Sequence, residues 1–440
     1  VFLATTGAEA LYSDMGHVGR GNIYASWPFV KACLILNYLG QGAWILTHTA
    51  SGTLAAIPDM NPFFQMLPEA LRAPAVALGA LAAIIASQAL ITGSYTLVSE
   101  AIRLDLMPHL EVRYPSDTKG QIYIGAVNTV LYLGCAAVVL YFRTSARMEA
   151  AYGLAITVTM LMTTLLLAVY LWSIQKKQAL AVGIALVFGA IEAVFFLSSL
   201  SKFALGGYVA VLMALVLFLI MVVWRRGTQL EQEYATRLPV GDYLPNLDTL
   251  HKDSSLPPLA DNLVFLDKAG DMDTIDRDIL YSILDKDPKR AAAYWFISMN
   301  VTDEPDTRRY SVETYGTDYI FRVRLDLGFK CHQRVNVCLR QIVRDLIESG
   351  ELPPQERKYS IYGKSDVGSF KFVFLHKAVP SKSELSFLDE LVLNTKYAIR
   401  RVAGSKVRWY GLDTSSLVVE TVPFIVGGKA PRSSRLERVK

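Results

Sequence analysis

The sequence predicts an α-helical polytopic membrane region followed by a water-soluble α/β domain. Of 44 Lys and Arg and 40 Asp and Glu residues, 21 lie in residues 1–224 and 63 lie in residues 225–440. Long apolar runs are confined to the first part, and alternating strand-like and helix-like patterns are confined to the second. The two parts are adapted to hydrocarbon and to water, which excludes a single globular enzyme, a fibrous protein and a disordered chain.

The first part contains apolar runs long enough to cross a bilayer. A membrane span needs about 20 mostly apolar residues, and runs this continuous are helices rather than the alternating strands of a membrane barrel. We therefore predict a transmembrane domain over residues 1–224 with about seven helices. After a partial segment at residues 1–12, the runs cover residues 26–46, 73–96, 122–141, 150–172, 179–200 and 206–224.

Basic residues in the connections predict the orientation of these helices. Eight lie in one set of alternate connections and four in the other, and the richer set is expected to be cytoplasmic. The hydrophilic part, which follows the last run directly, is then cytoplasmic too. The eight are Arg20, Arg103, Arg113, Lys119, Lys176, Lys177, Arg225 and Arg226, and the four are Arg72, Arg143, Arg147 and Lys202.

Two acidic residues, Glu9 and Glu192, lie well inside apolar runs. A carboxylate there is costly, so each is a functional-site hypothesis. Glu9 follows the hydroxyls of Thr5 and Thr6 and the glycine Gly7, where an unwound helix would expose backbone carbonyl oxygens to a cation. The alternative is that this small-residue stretch only packs against another helix, but that interpretation leaves Glu9 unexplained. Glu192 is either a second proton-active acid or an interhelical hydrogen-bond partner of a hydroxyl or of Lys202, and the sequence leaves both open.

Five motifs in a fixed order give the membrane part a resemblance to the KUP/HAK/KT potassium-uptake transporters. The first resembles the sixth transmembrane helix of that family. The motifs are TGAEALYSDMGH at residues 6–17, LNYLGQGA at 36–43, IASQALITG at 85–93, GQIYI at 120–124 and AYGLAIT at 151–157.

The resemblance implies a LeuT/APC-like inverted-repeat fold of twelve helices, proton-coupled potassium symport, and an ion site shared by the broken first and sixth helices. Thr6 and Glu9 match the sixth-helix residues associated with that K⁺ site, with Thr5 and Tyr12 as weaker neighbours. Thr6 would offer oxygen to a dehydrated ion, and Glu9 would couple the proton. The first-helix motif has no counterpart, so we expect a C-terminal fragment that begins at the sixth helix and carries only part of the site.

The second part is predicted to contain a linker over residues 225–261, rich in proline, and a cytoplasmic α/β domain over residues 262–440. The predicted strands lie at residues 293–301, 319–325, 371–376 and 416–426, and the predicted helices lie at 335–349 and 384–402. No phosphate-binding loop, paired cysteines or nucleophile elbow is present, so we expect neither an enzyme nor a cofactor.

Partner expectations follow from charge and from the resemblance. A net charge of +4 without a basic stripe argues against nucleic acid. The basic residues after position 428 are either a solvated tail or a contact for anionic membrane lipid. The resemblance implies a regulatory or homodimerising role for the soluble domain, and cyclic di-AMP as its candidate ligand, since that nucleotide inhibits uptake in some bacterial branches.

Two other functions remain open at this point. An amino-acid transporter shares the same architecture, although Thr6 and Glu9 present oxygens suited to a cation rather than to a carboxylate. A membrane-anchored, nucleotide-responsive sensor would use the helices only as an anchor, which leaves Glu9 and Glu192 without an energetic justification.

Overall fold

The computed structural model describes residues 20–53, 61–115, 121–267, 272–331, 334–355, 366–378, 386–403, 412 and 416–423. They fall into two compact units, which are described separately. One unit takes the residues up to Glu100 and from Gly120 to Leu217, and the other takes Ala101–Lys119 and the residues from Phe218 onward.

Six helices among the described residues are long and apolar enough to cross a membrane. All six of the long apolar runs predicted from the sequence are helical, and most helices continue for a turn or more beyond the run. The partial segment at residues 1–12 lies outside the described residues. The six are α1 (Arg20–Ala50), α3 (Glu69–Arg103), α4 (Gly125–Phe142), α5 (Ser145–Ser173), α6 (Gln178–Leu200) and α7 (Gly207–Glu233), with a short helix α2 (Pro62–Gln65) between the first two.

Two consecutive glycines let the start of α7 approach α5 closely. A Cβ atom on Gly206 would lie 2.7 Å from the backbone oxygen of Arg147, and one on Gly207 would lie 3.0 Å from the Leu154 side chain. Real Cβ atoms do not come that close to backbone oxygen, so only glycine fits at Gly206. Small residues commonly permit such close helix packing in membrane proteins.

The second unit contains a six-stranded sheet with the order β5-β6-β4-β2-β7-β8. All neighbouring strands are parallel except β5, which runs antiparallel to β6 at one edge. The strands of this sheet are β2 (Ala260–Leu266), β4 (Ala291–Thr302), β5 (Arg308–Glu313), β6 (Ile320–Gly328), β7 (Phe370–Ala378) and β8 (Leu417–Pro423), while β1 (Arg237–Pro239) and β3 (Thr274–Asp276) form a separate antiparallel pair.

Apolar side chains cover both faces of this sheet, as expected for parallel strands. One core gathers around Trp295, Phe321 and the helix α10 (Val335–Glu348). The other gathers around Phe265 and Phe296 and includes the helices α8 (Val240–Lys252) and α9 (Arg277–Tyr281). The predicted strands at residues 293–301, 319–325, 371–376 and 416–426 and the predicted helix at 335–349 correspond to β4, β6, β7, β8 and α10, with bounds that differ by a few residues.

The interval 225–261, predicted as a linker, is instead mostly regular structure. The helix α7 continues to Glu233, and β1 and α8 follow it. Pro239 occupies the N-cap of α8, where proline is tolerated, and Pro245 lies inside the helix. An interior proline costs about 3 kcal/mol, but α8 buries three apolar side chains, each worth about 1.5–3 kcal/mol. Burial therefore outweighs the local preference against a helix.

Within the second unit, the helix α11 (Phe387–Ala403) packs against the end of α7 through Lys396. The Nζ atom of Lys396 lies 3.0 Å from Oε2 of Glu231 and 3.0 Å from Oγ1 of Thr228, and 5.2 Å from the ring centre of Trp224. A Cβ atom on Gly227 would lie 2.6 Å from Cδ of Lys396. Gly227 thus leaves the space that the lysine side chain fills.

Candidate functional site

The four residues predicted for the potassium site are Thr5, Thr6, Glu9 and Tyr12. All of them lie outside the described residues, so their ligand roles remain predictions. The other intramembrane acid, Glu192, lies within the described residues, and its contacts define the candidate site considered below.

Glu192 is a buried acid between two membrane helices. It lies in α6 and faces α5, where the Thr164 hydroxyl donates a hydrogen bond of 2.8 Å to its Oε1 atom. Its Oε2 atom is buried without a hydrogen-bond partner in the described part of the chain. The carboxyl group therefore has one satisfied and one unsatisfied oxygen.

The local sequence explains how an acid fits between these helices. Gly189, Ala190 and Ala193 give α6 small side chains next to Glu192 in the sequence, although an added Cβ at Gly189 would meet open space. In α5, Thr157 and Thr164 are seven residues apart and therefore lie on one helical face. The Thr157 hydroxyl donates a hydrogen bond of 2.9 Å to the Leu154 carbonyl oxygen of its own helix. Only Thr164 is thus observed to serve Glu192.

Of the two partners considered for Glu192 from the sequence, the structure shows the hydroxyl. No ion pair joins Glu192 to Lys202 among the residues described. A carboxylate in an apolar interior is costly when a single neutral hydroxyl is its only partner. A proton or a monovalent cation on the unsatisfied oxygen would neutralise that charge.

A second polar contact joins α3 and α4. The Tyr95 hydroxyl donates a hydrogen bond of 2.9 Å to Oδ1 of Asn128. Intramembrane asparagines commonly hold helices together in this way. Sequence reasoning missed Tyr95 and Thr164, because an uncharged tyrosine or threonine in an apolar run gives no signal of its partner. In the described segments no group of three His, Cys, Asp or Glu residues is placed to hold a metal ion.

Comparison with known protein families assigns both parts of the chain. Residues 1–229 match the model described as the K+ potassium transporter integral membrane domain. The chain belongs to this potassium transporter family. Residues 260–424 match the model of the K+ potassium transporter C-terminal domain, so both parts agree with a single family.

Similar curated proteins carry the same assignment. A protein of Enterococcus faecalis named "Probable potassium transport system protein Kup" is 52% identical over 97% of this chain and 64% of its own length. The protein of that name in Lacticaseibacillus casei is 49% identical over 97% of this chain and 63% of its own length. In Bifidobacterium longum, "Probable potassium transport system protein Kup 1" is 50% identical over 100% of this chain and 73% of its own length.

The chain spans a little under two thirds of the length of the first of these relatives, at 63–64%. No solved structure matches it. Within the potassium transporter family match, Glu192 and Thr164 belong to the integral membrane domain. The family and these relatives are transporters rather than enzymes.

Proposed function

We propose that this chain takes part in potassium uptake across the cytoplasmic membrane by proton-coupled symport. The family match and the names of its relatives support potassium as the substrate. The observation that supports proton coupling is the buried carboxyl group of Glu192, whose Oε2 atom has no hydrogen-bond partner among the described residues. The proposal includes a LeuT/APC-like inverted repeat and a potassium site shared between two broken helices.

In this mechanism the sixth-helix motif binds the ion. Thr6 and the backbone carbonyls near Gly7 replace part of the water shell of potassium, with Thr5 and Tyr12 beside them. Glu9 binds a proton in exchange with the ion, which links the two occupancies thermodynamically. The remaining oxygen ligands of the proposed site belong to the broken first helix of the inverted repeat.

Glu192 is the second proton-carrying acid of the proposal. In this role its Oε2 atom exchanges a proton during transport, while the Thr164 hydroxyl holds Oε1 in place. An acid at this depth in an apolar helix is costly, which makes it a functional-site hypothesis. The helices α5 and α6 then move protons as well as support the fold.

The soluble domain has a regulatory or dimerising role in this proposal and lies in the cytoplasm. The distribution of basic residues among the connections supports the cytoplasmic side. Cyclic di-AMP is its candidate nucleotide on the family resemblance alone, and anionic lipid is the candidate contact of the basic residues after position 428.

Complementation of potassium-uptake-deficient cells tests the proposal. This chain is joined to the N-terminal region of the Enterococcus faecalis relative, and growth and rubidium uptake are measured at limiting potassium between pH 5.5 and 8. We expect the joined chain to rescue growth and Glu9→Gln to abolish proton-coupled uptake. Normal pH-dependent uptake by the Glu9→Gln variant removes Glu9 from the mechanism, and failure of the well-expressed joined chain to transport potassium contradicts the substrate.

A second set of variants separates a proton-carrying Glu192 from a merely structural one. Glu192→Gln keeps an oxygen for the Thr164 hydroxyl but cannot exchange a proton, whereas Thr164→Val removes the hydrogen bond and leaves the acid. Glu149→Gln, at an exposed position of α5, is the matched control. We expect Glu192→Gln alone to flatten the pH dependence of uptake. Equal pH profiles for Glu192→Gln and Glu149→Gln contradict the proton role of Glu192.

A further inference from the structure

The strand order of the α/β domain reverses at β2, a strand near the centre of the sheet. The chain runs outward from β2 to β4 and β6, and then returns to the other side of β2 with β7 and β8. Open α/β sheets bind ligands outside the carboxyl ends of their strands at such a reversal. Asp267, the first residue after β2, lies at this position.

Arg322 brings a buried cation to the same position from β6. Its Cα lies beside Phe296 in the sheet register, and its Nη1 atom donates to Oδ2 of Asp267 at 3.0 Å. The side chains of Arg322 and Asp267 are only 1% and 2% exposed. Arg237 donates to the same Oδ2 atom, also at 3.0 Å, from a half-buried position and bonds Thr274 as well.

The other edge of the Arg322 guanidinium forms no hydrogen bond with the described residues. Its Nε and Nη2 atoms point in one direction and form the planar pair of donors that matches two oxygens of a carboxylate or phosphate. Both atoms are buried, and neither has a hydrogen-bond partner in the part of the chain that the structure describes. The nitrogen outside this pair, Nη1, is the one that holds Asp267.

Both the charges and the hydrogen bonds of this cluster favour an added anion. A guanidinium keeps its charge in proteins, and the ion pairs described here have the buried Arg322 share the Asp267 carboxylate with Arg237. Buried donors without partners are unfavourable, more so when they are charged. An oxyanion on the free edge of Arg322 would supply both the acceptors and a negative charge.

We propose that the free edge of Arg322, beside Asp267 and Arg237, is a binding site for a small-molecule ligand that bears a singly charged oxyanion, either a carboxylate or a phosphodiester group. A buried guanidinium that shares its described acid with a second arginine favours an anion on its other edge. This inference concerns the α/β domain and does not depend on proton coupling in the membrane part.

A nearby acid is the internal competitor for the site. Glu313 lies opposite Arg322 in the β5–β6 register, but it is exposed and forms no ion pair with Arg322 among the described residues. The free Arg322 nitrogens are closed to solvent, so a ligand reaches them when the domain opens locally and then stabilises the closed state. Binding should therefore slow hydrogen exchange in β2 and β6.

The test uses the purified full chain in detergent. Acetate, dimethyl phosphate or inorganic phosphate is titrated against sodium chloride at equal ionic strength, and thermal unfolding and hydrogen exchange of residues 260–266 and 320–328 are measured. Arg322→Lys keeps the charge but loses the planar pair of donors. Arg324→Met, on the same strand and half-exposed, is the control for general charge effects.

We expect saturable protection of β2 and β6 by acetate or dimethyl phosphate, and the anion that binds more tightly identifies the carboxylate or the phosphodiester class. Arg322→Lys should weaken this binding at least tenfold, whereas Arg324→Met should leave it unchanged. Absence of saturable protection in the wild-type chain overturns the proposal even if Arg322→Lys fails to fold. Protection that appears only after Glu313→Gln also overturns it, because Glu313 then occupies the free edge in solution.

Discussion

Replacing Lys396 with methionine should loosen α11 from the end of α7. Methionine keeps most of the side-chain volume but removes the ammonium group that binds Glu231 and Thr228. The side chains of Lys396 and Glu231 are 3% and 14% exposed, so water screens this ion pair little. Removing one partner of a buried pair costs about 3–5 kcal/mol, because the other charge is left without compensation.

This magnitude sets a measurable change in hydrogen exchange. A loss of 3–5 kcal/mol raises the local opening constant of α11 by roughly two to three and a half powers of ten. Mass spectrometry of residues 387–403 in the full chain measures that change directly. The apolar contacts of Leu230, Leu393 and Tyr397 remain, so the helix itself should still form.

An exposed lysine in a similar ion pair is the matched control. Lys252 lies 2.7 Å from Oδ2 of Asp248, but its side chain is 71% exposed. Exposed pairs of this kind contribute about 0–1 kcal/mol, so Lys252→Met should change the exchange of its own helix α8 by less than about tenfold. Equal effects of Lys396→Met and Lys252→Met would refute the reasoning from burial.

Three further predictions concern pH, close packing and the core. Burial, followed by the charges of two arginines in α11, lowers the pKa of His376. The unfolded chain therefore binds the proton at higher pH than the folded chain, so the free energy of unfolding should fall as pH drops below about 6.5. Thermal melts of His376→Gln should show a smaller decrease of stability over the same pH range. Gly206→Ala should destabilise the membrane unit by about 1–3 kcal/mol, because the new Cβ atom would clash with the α5 backbone. Gly183→Ala is the control, since open space surrounds Gly183 and the stability of this variant should not change. Thermal melting in detergent measures both variants. Leu339→Ala should cost about 2–5 kcal/mol in denaturant unfolding, and Val337→Ala, exposed on the same helix, should cost far less.

The sequence predicted the membrane helices well because hydrocarbon imposes a length and a composition on every span. It predicted the central strands for a related reason, since strands buried on both faces are nearly continuous apolar runs. It failed at residues 240–252, where local proline content suggested a linker but tertiary burial of Val240, Leu247 and Leu250 formed a helix. Burial against a distant sheet leaves only a weak periodic signal within thirteen residues.

The sites were less accessible from sequence than the fold. Glu192 stood out because an acid in an apolar run is costly, but the choice of Thr164 as its partner depends on how two helices pack. Arg322 gave no signal at all, because an arginine that alternates with apolar residues in a strand ordinarily faces solvent. Its burial and its pairing with Asp267 arise from strand order, which joins segments more than fifty residues apart.

The position of β2 in the sheet has a consequence for synthesis of the chain. The strand β2 is the first of the sheet to leave the ribosome and lies at its centre, yet its partner on one side, β7, begins only at Phe370. Until then the growing domain presents an apolar strand with one open edge, which is a template for pairing with other chains. Folding that depends on such distant segments is slow and exposed to aggregation. A ribosome that stalls between β6 and β7 would therefore release a chain prone to aggregate, and synthesis through Ala378 closes that edge.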